Sequence, residues 1–325
     1  MRAIIPVAGI GTRLKPHTFS TPKVLLNVGG KPILGHILDK LLEENITKAT
    51  FVIGYLGNMI KEYVVSEYPQ VQSDFVEQES MEGLGHAIYT AIPTFDEDEI
   101  FVILGDTVFD VNLKDVFKRK QSALGVKSVD DPRRFGVAVV KEGLIQKLVE
   151  KPQTPISNLA LVGLYYFSDA EKLKKALIEL VEKDIRTQNE LQFTDAIQLM
   201  ITAGEKISTF LVDGWYDCGK PETLLSTNKF LLDKNPSAKV FVNVVINDPV
   251  FIADDAEIEN SIIGPYATIG SGAKINECII KNSIVGTNAQ VAKTLLDNSI
   301  VGRNTIVKGI FKRLNSGDSS EIDFY

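Results

Sequence analysis

The sequence predicts an α/β domain followed by a short left-handed parallel β-helix, and three observations predict it. Apolar runs at 4–7 and 100–104 stop at glycine, as buried parallel strands do. Between such runs lie segments with apolar residues at helical spacing, so strand and helix alternate as in a doubly wound sheet. Beyond Lys234-Asn235-Pro236 the pattern changes. Ile252, Ile258, Ile263, Ile269, Ile275, Ile280 and their successors to Val307 recur every five or six residues, with Gly264, Gly270, Gly286 and Gly302 directly after four of these aliphatics. One aliphatic per short strand, buried only against the next coil, is what a three-sided solenoid requires.

In chain order, 4–7 reads as a first central strand. Pro32 opens a helix whose Ile33, Leu34, Ile37, Leu38, Leu41 and Leu42 share one face. A strand at 49–53, a helix at 59–65, a strand at 74–76, a helix at 85–92 and the strand at 100–104 follow. Closely spaced strands at 135–140, 144–150 and 159–167 suggest an antiparallel insertion over one end of a crevice. Helices at 170–183 and 194–202, a strand at 207–212, a loop at 214–219 and a helix at 221–232 complete the domain. The expected divisions are 1–235 for the α/β domain, 240–312 for the β-helix and 313–325 for a polar tail. Three to four coils fit 240–307, with Ala256, Ala267, Ala273 and Ala289 at tight corners.

Composition narrows the classes. The 325 residues carry 35 basic and 42 acidic side chains, a net charge of −7, which argues against nucleic-acid binding. Cys218 and Cys278 lack CxxC spacing, so neither a disulfide framework nor a zinc site is expected. With no signal-like start and no membrane-length apolar run, a cytoplasmic protein without a membrane partner is expected.

The chemistry concentrates after the first strand. Gly9 and Gly11 let backbone N–H groups approach a ligand, while Arg13, Lys15 and Lys23 add positive charge, which suits an anionic, phosphate-bearing ligand. A dinucleotide fingerprint would need glycine at Leu14 and no Pro16, and a P-loop would need Gly-Lys-Ser/Thr; a surface turn with stray basic residues is the plain alternative. Asp106 follows an apolar strand, and Asp217 sits beside Trp215 and Gly219. Each could be a turn or capping residue; jointly, with a phosphate, they could hold Mg²⁺.

Gly9-x-Gly11-Thr12-Arg13-Leu14-x-Pro16-x-Thr18 with Pro22-Lys23 resembles the signature of the sugar-1-phosphate nucleotidylyltransferases. The resemblance covers about 1–232, and the solenoid matches the appended domain of longer members. It implies a Rossmann-like nucleotide-diphospho-sugar transferase domain that takes a nucleoside triphosphate and a sugar 1-phosphate. Leu104-Gly105-Asp106 and Trp215-x-Asp217-x-Gly219 match the metal-binding positions of the thymidylyltransferases, which implies Mg²⁺ on Asp106 and Asp217. Glu150-Lys151-Pro152 implies a carboxylate for sugar hydroxyls and a lysine for the sugar phosphate. Gly136, Val162, Thr194 and Trp215 match further sugar-side segments. Gln78 with Gly83-Leu84-Gly85-His86-Ala87 resembles the base-reading segment, where an amide can pair with both a donor and an acceptor. His86 reads as a packing or hydrogen-bonding residue. With Ala8, Gly9, Gly11, Thr12 and Arg13, the nucleotide side is Gln78 and Gly83, and Arg13, Lys23 and Lys151 are the catalytic cations.

The expected reaction is nucleotidyl transfer from UTP or dTTP to glucose 1-phosphate. Guanylyl transfer to mannose 1-phosphate, a non-catalytic homologue and a β-helix acyltransferase are the alternatives. The last usually needs a solenoid histidine, whereas His17, His36 and His86 all precede the solenoid. The regular aliphatic ladder suggests that the solenoid builds a homo-oligomer.

Overall fold

The structure, a computed structural model, describes residues 1–234 and 243–309. The expected junction at 235–240, the solenoid's first residues and the 313–325 tail lie outside the described residues. By contacts the chain divides into Met1–Leu26 with Lys31–Thr227, and Asn27–Gly30 with Asn228–Tyr325.

The first unit begins with β1 (Arg2–Pro6), a buried strand. Two short strands, β2 (Asn27–Val28), which falls in the second unit, and β3 (Lys31–Pro32), precede α1 (Ile33–Glu43), whose Ile33, Leu34, Ile37, Leu38 and Leu41 are buried as the helical spacing predicts. Alternation continues through β4 (Lys48–Ile53), α2 (Gly57–Glu67), β5 (Gln72–Glu77), α3 (Leu84–Thr90), β6 (Ile100–Ile103), β7 (Thr107–Asp110) and α4 (Leu113–Lys118). It resumes with β8 (Ala123–Ser128), β9 (Gly136–Lys141), β10 (Leu144–Glu150), β11 (Leu159–Phe167), α5 (Ala170–Glu182), α6 (Phe193–Thr202), β12 (Ser208–Leu211), β13 (Gly214–Asp217) and α7 (Pro221–Lys234), whose residues from Asn228 on count with the second unit.

Nine strands form one sheet in the order β5-β4-β1-β6-β11-β8-β12-β10-β9. Strands β5, β4, β1 and β6 run parallel, the doubly wound half. The strands expected as an antiparallel insertion do pair antiparallel, and they extend this sheet: β11 pairs antiparallel with β6 and carries β8, β9 and β10 into it. Its nearly continuous apolar run explains this, because a strand buried on both faces belongs inside a sheet. The stretch expected as a loop at 214–219 is corrected. Its first part is β13, paired antiparallel with β7 in a separate two-stranded ladder.

In the second unit, twelve short strands make three parallel ladders of four. They are β14 (Val244–Ile246), β15 (Val250–Ile252), β16 (Glu257–Glu259), β17 (Ser261–Ile263), β18 (Ala267–Ile269), β19 (Lys274–Asn276), β20 (Ile279–Lys281), β21 (Ile284–Val285), β22 (Gln290–Ala292), β23 (Leu295–Asp297), β24 (Ile300–Val301) and β25 (Ile306–Lys308). This is the left-handed β-helix, with four coils among the described residues. Ile252, Ile269, Val285 and Val301 stack in register down one ladder, each burying its neighbour. At the corners Ala256, Ala273 and Ala289 close tight turns as expected, each N–H donating to the carbonyl three residues back, whereas Ala267 lies in β18. Left-handed turn positions are taken by Asn260, Asn282, Asn288, Asn298 and Asn304 among others. Asparagine tolerates that conformation better than other residues with a Cβ.

One polar group is built into the sheet of the first unit. Arg2 is 2% exposed, and its guanidinium donates to Asp74, Asp96 and Thr50. Hydrogen bonds from Arg2 hold the Asp96 carboxyl well below the usual carboxylate range, with help from Lys48. A depressed folded value means that folding favours the ionised form. That stabilisation is complete above the unfolded pKa of about 3.9 and is lost as pH falls through the folded value. Asp96→Asn is therefore expected to cost about 1–2 kcal/mol at pH 7, screened because Asp96 is partly exposed. In urea titrations the gap from the parent should narrow progressively below pH about 4.

Candidate functional site

The carboxyl ends of β1 and β6 lie side by side because the two strands pair in parallel. Gly105 makes the approach possible: a Cβ there would lie 2.4 Å from Val7 Cγ1. Asp106 thus arrives beside the loop after β1. Within that loop Gly11 has φ +69, and its carbonyl accepts from Thr18 Oγ1 at 2.9 Å. Its missing Cβ would sit 3.0 Å from Lys23 Cβ, so the loop folds onto the lysine stem. Gly9 faces open space.

Asp217 reaches the same place by another route. Register in the β7–β13 ladder sets Asp217 opposite Thr107, and the Cys218 N–H donates to the Asp106 carbonyl at 3.0 Å. Lys23 Nζ donates to Asp106 Oδ2. Burial pushes the Asp217 carboxyl up, the charge on Asp106 adds to this, and Lys23, Arg13 and Arg134 oppose it. Gly219 closes the cluster, since a Cβ there would lie 2.8 Å from both an Arg13 guanidinium nitrogen and Asp217 Oδ1.

Two cavities open on this cluster. One, of about 480 Å³, is lined by Ala8, Gly9, Gly11, Thr12, Arg13, Lys23, Gln78, Gly83 and Asp106 among others. The other, of about 230 Å³, is lined by Arg13, Asp106, Gly136, Glu150, Val162, Thr194, Trp215 and Asp217 among others. Arg13, Leu84, Leu104 and Asp106 line both, so the two are halves of one crevice. All seven residues expected on the nucleotide side line the larger half.

Five of the six expected on the sugar side line the smaller; Lys151 does not. Lys151 directly follows β10 at φ +43, and its ammonium lies 3.6 Å from Glu150 Oε1. Burial pushes the Glu150 carboxyl up against the pull of Lys151, and Thr194 Oγ1 donates to it at 3.4 Å. The ring of Trp215 packs edge-on against Phe135 at 4.9 Å. Val162 gains its position from a bulge in β11 between Leu161 and Tyr165, where Gly163 has φ +84 and its carbonyl accepts from Leu104 N.

Sequence reasoning passed over Arg134, Tyr165 and Gln192, which also line the smaller half. Arg134 has a signal, a basic residue two positions before a strand that begins in the crevice. Tyr165 and Gln192 had none, being ordinary members of an apolar strand and a helix start. The amide of Gln78 also departs from expectation: its nitrogen is engaged by the Gly83 carbonyl and His86 Nδ1, each at 3.2 Å.

The donor set fits a divalent cation at Asp106 and Asp217, two converging carboxylates of which Asp217 is the costlier to ionise through burial and the neighbouring charge. Among the described residues no group of three or more His, Cys, Asp or Glu converges. Such an ion would take its remaining ligands from phosphate oxygens and water, as Mg²⁺ commonly does. No described helix is long and apolar enough to cross a membrane.

Comparison with known proteins agrees with this geometry. The Nucleotidyl transferase family profile matches residues 2–234, and the GlmU-like C-terminal hexapeptide profile matches 226–312. Bifunctional protein GlmU of Methanocaldococcus jannaschii is 38% identical over 262 residues, covering 79% of this chain and 61% of that protein. This chain therefore spans about three fifths of that relative's length. UTP–glucose-1-phosphate uridylyltransferase AglF of Haloferax volcanii is 36% identical, covering 68% of this chain and 93% of the relative. Glucose-1-phosphate thymidylyltransferase of Streptomyces antibioticus is 31% identical, covering 86% and 81%.

The crevice also depends on a backbone position. Gly83 has φ +113, and a Cβ there would lie 2.7 Å from the Leu191 carbonyl. Gly83→Ala is expected to cost about 1–3 kcal/mol through backbone strain, read as a melting temperature lower by several degrees.

Proposed function

The chain belongs to the nucleotidyl transferase family, and from that premise we propose that it transfers a nucleotidyl group from UTP or dTTP to glucose 1-phosphate, releasing pyrophosphate. One observation carries this reading: Arg13 and Asp106 line both halves of the crevice, so a triphosphate in the larger half and a sugar phosphate in the smaller would meet at them. The pyrimidine and glucose assignments rest on the residues quoted from the sequence and on the uridylyl and thymidylyl relatives.

A sugar phosphate has a second pKa near 6, so at neutral pH its oxygen is already an anionic nucleophile and needs no general base. That oxygen attacks the α-phosphorus in line, and the bond to the β-phosphate oxygen breaks with its electron pair leaving on pyrophosphate. Catalysis then consists of holding two polyanions together and offsetting charge as it develops. Arg13 clamps the triphosphate and the departing pyrophosphate. Lys23 leaves Asp106 for a phosphate oxygen, and Lys151 likewise exchanges Glu150 for the sugar phosphate. Glu150 accepts from sugar hydroxyls, steadied by Thr194, while Gly136, Val162 and Trp215 shape the sugar's walls. Asp106 and Asp217 would hold Mg²⁺, which would supply charge neutralisation for the phosphates.

The proposal extends to assembly: residues 1–235 carry the reaction and the β-helix at 240–312 joins copies of the chain. Val245, Ile262, Ile279 and Leu295 stand in direct register on the outer face of one ladder. Val245 is 55% and Leu295 61% exposed. A continuous row of aliphatics in water is costly, and a like row from a second copy covers it.

Pyrophosphate release is to be measured with Mg²⁺, each common nucleoside triphosphate and the 1-phosphates of glucose, galactose, mannose and N-acetylglucosamine. UTP or dTTP with glucose 1-phosphate should turn over fastest; silence across the panel would sink the proposal. Asp106→Asn and Asp217→Asn should each lower turnover at least about a hundredfold with the melting temperature little changed. For assembly, Ile279→Lys with Leu295→Lys should reduce the particle mass seen by light scattering. An unchanged mass, or a monomeric parent, contradicts the assembly role.

A further inference from the structure

Gln78 is 5% exposed at the floor of the larger half-crevice, and its amide has one orientation open to it. A carbonyl oxygen can only accept, so the Gly83 carbonyl at 3.2 Å must face the amide nitrogen. Gly83 cannot move away: its φ is +113, and the segment around it is clamped by Leu191 N donating to the Glu82 carbonyl and Gly85 N donating to the Leu191 carbonyl, both at 2.8 Å. The second amide hydrogen meets His86 Nδ1, also at 3.2 Å, which accepts when the imidazole proton is on Nε2. Behind Gln78, its own backbone N–H donates to the Ile53 carbonyl at 2.9 Å. Both side-chain hydrogens are thus consumed inside the protein, and the amide presents only its oxygen to a base.

We propose that His86 is a positioning residue for base choice, holding the Gln78 oxygen outward so that the site accepts a base with a ring N–H and rejects one with a ring lone pair. The inference rests on the reading that the larger half takes the nucleotide base. Uracil and thymine carry N–H at ring position 3, where cytosine carries an unprotonated nitrogen. Against the Gln78 oxygen, cytosine brings two acceptors together and leaves both desolvated. His86 contributes through the amide and not through the base. Its ring lies over Tyr89 with centroids 6.4 Å apart, which fixes the plane in which Nδ1 points.

The test is calorimetric binding of UTP and CTP to the full chain, as parent, His86→Phe and His86→Asn. Phenylalanine keeps the ring packing and removes the acceptor; asparagine restores an acceptor near the Nδ1 position. The parent should favour UTP by about a hundredfold or more. The preference should narrow about tenfold in His86→Phe and return to within about threefold of the parent in His86→Asn. A ratio unchanged in His86→Phe, an asparagine variant as permissive as the phenylalanine one, or a parent indifferent to the base overturns the proposal. Because this readout is binding, a protein with the expected ratios but no pyrophosphate release would refute the reaction and leave the role of His86 standing.

Discussion

The crevice depends on the two-stranded ladder between Thr107–Asp110 and Gly214–Asp217. It joins the segment after β6 to one about a hundred residues later, and its register brings Asp217 to the side of Asp106. Closing so long a loop costs only slightly more than closing a short one, so a few ladder bonds and packed side chains suffice. Glycines let the ladder close: a Cβ at Gly214 would lie 2.5 Å from Asp110 Cβ.

Once the ladder is made, the charges follow from proximity. Two carboxylates converge in a partly buried place, and burial together with their mutual repulsion raises the cost of keeping Asp217 ionised. Three cations, Lys23, Arg13 and Arg134, face them. Arg13 and Arg134 carry no ion pair among the described residues, and Lys23 is committed to Asp106. An anion entering the crevice therefore finds positive charge already oriented, so little reorganisation is needed when charge develops. The same geometry explains why glycine stands at 105 and 219, where any side chain would displace the groups that make the site.

Much of this was legible in the chain. The alternation of apolar runs gave the parallel half of the sheet, because a strand buried on both faces cannot hide its composition. The five- to six-residue recurrence gave the solenoid, since each coil must repeat the same burial. The long loop signature located the positions that line the larger half-crevice, and the sugar-side motifs located all but one of those expected on the smaller. Less was legible wherever an outcome depended on a distant partner. That β11 pairs with β6 and so joins the antiparallel strands to the parallel half is not written in its own residues. The motif does not reveal that the Lys151 ammonium stands 3.6 Å from Glu150, outside the lining of the smaller half. The alanines at the solenoid corners are legible from their spacing, whereas the left-handed asparagines beside them carry no periodic signal of their own.

By itself, then, the sequence determined what each segment could become: which runs were strands, which faces were apolar, which loop would collect anions. Those are properties of neighbours along the chain, fixed by periodicity, glycine freedom and local charge. Only the tertiary structure decided which side chains share a volume. Asp106 meets Asp217 through a ladder, the sheet absorbs β8 to β11, and Gln78 keeps its oxygen free because Gly83 and His86 take its nitrogen. These are matters of register and hydrogen-bond partnership, set by the whole packed chain and written in no single stretch of it.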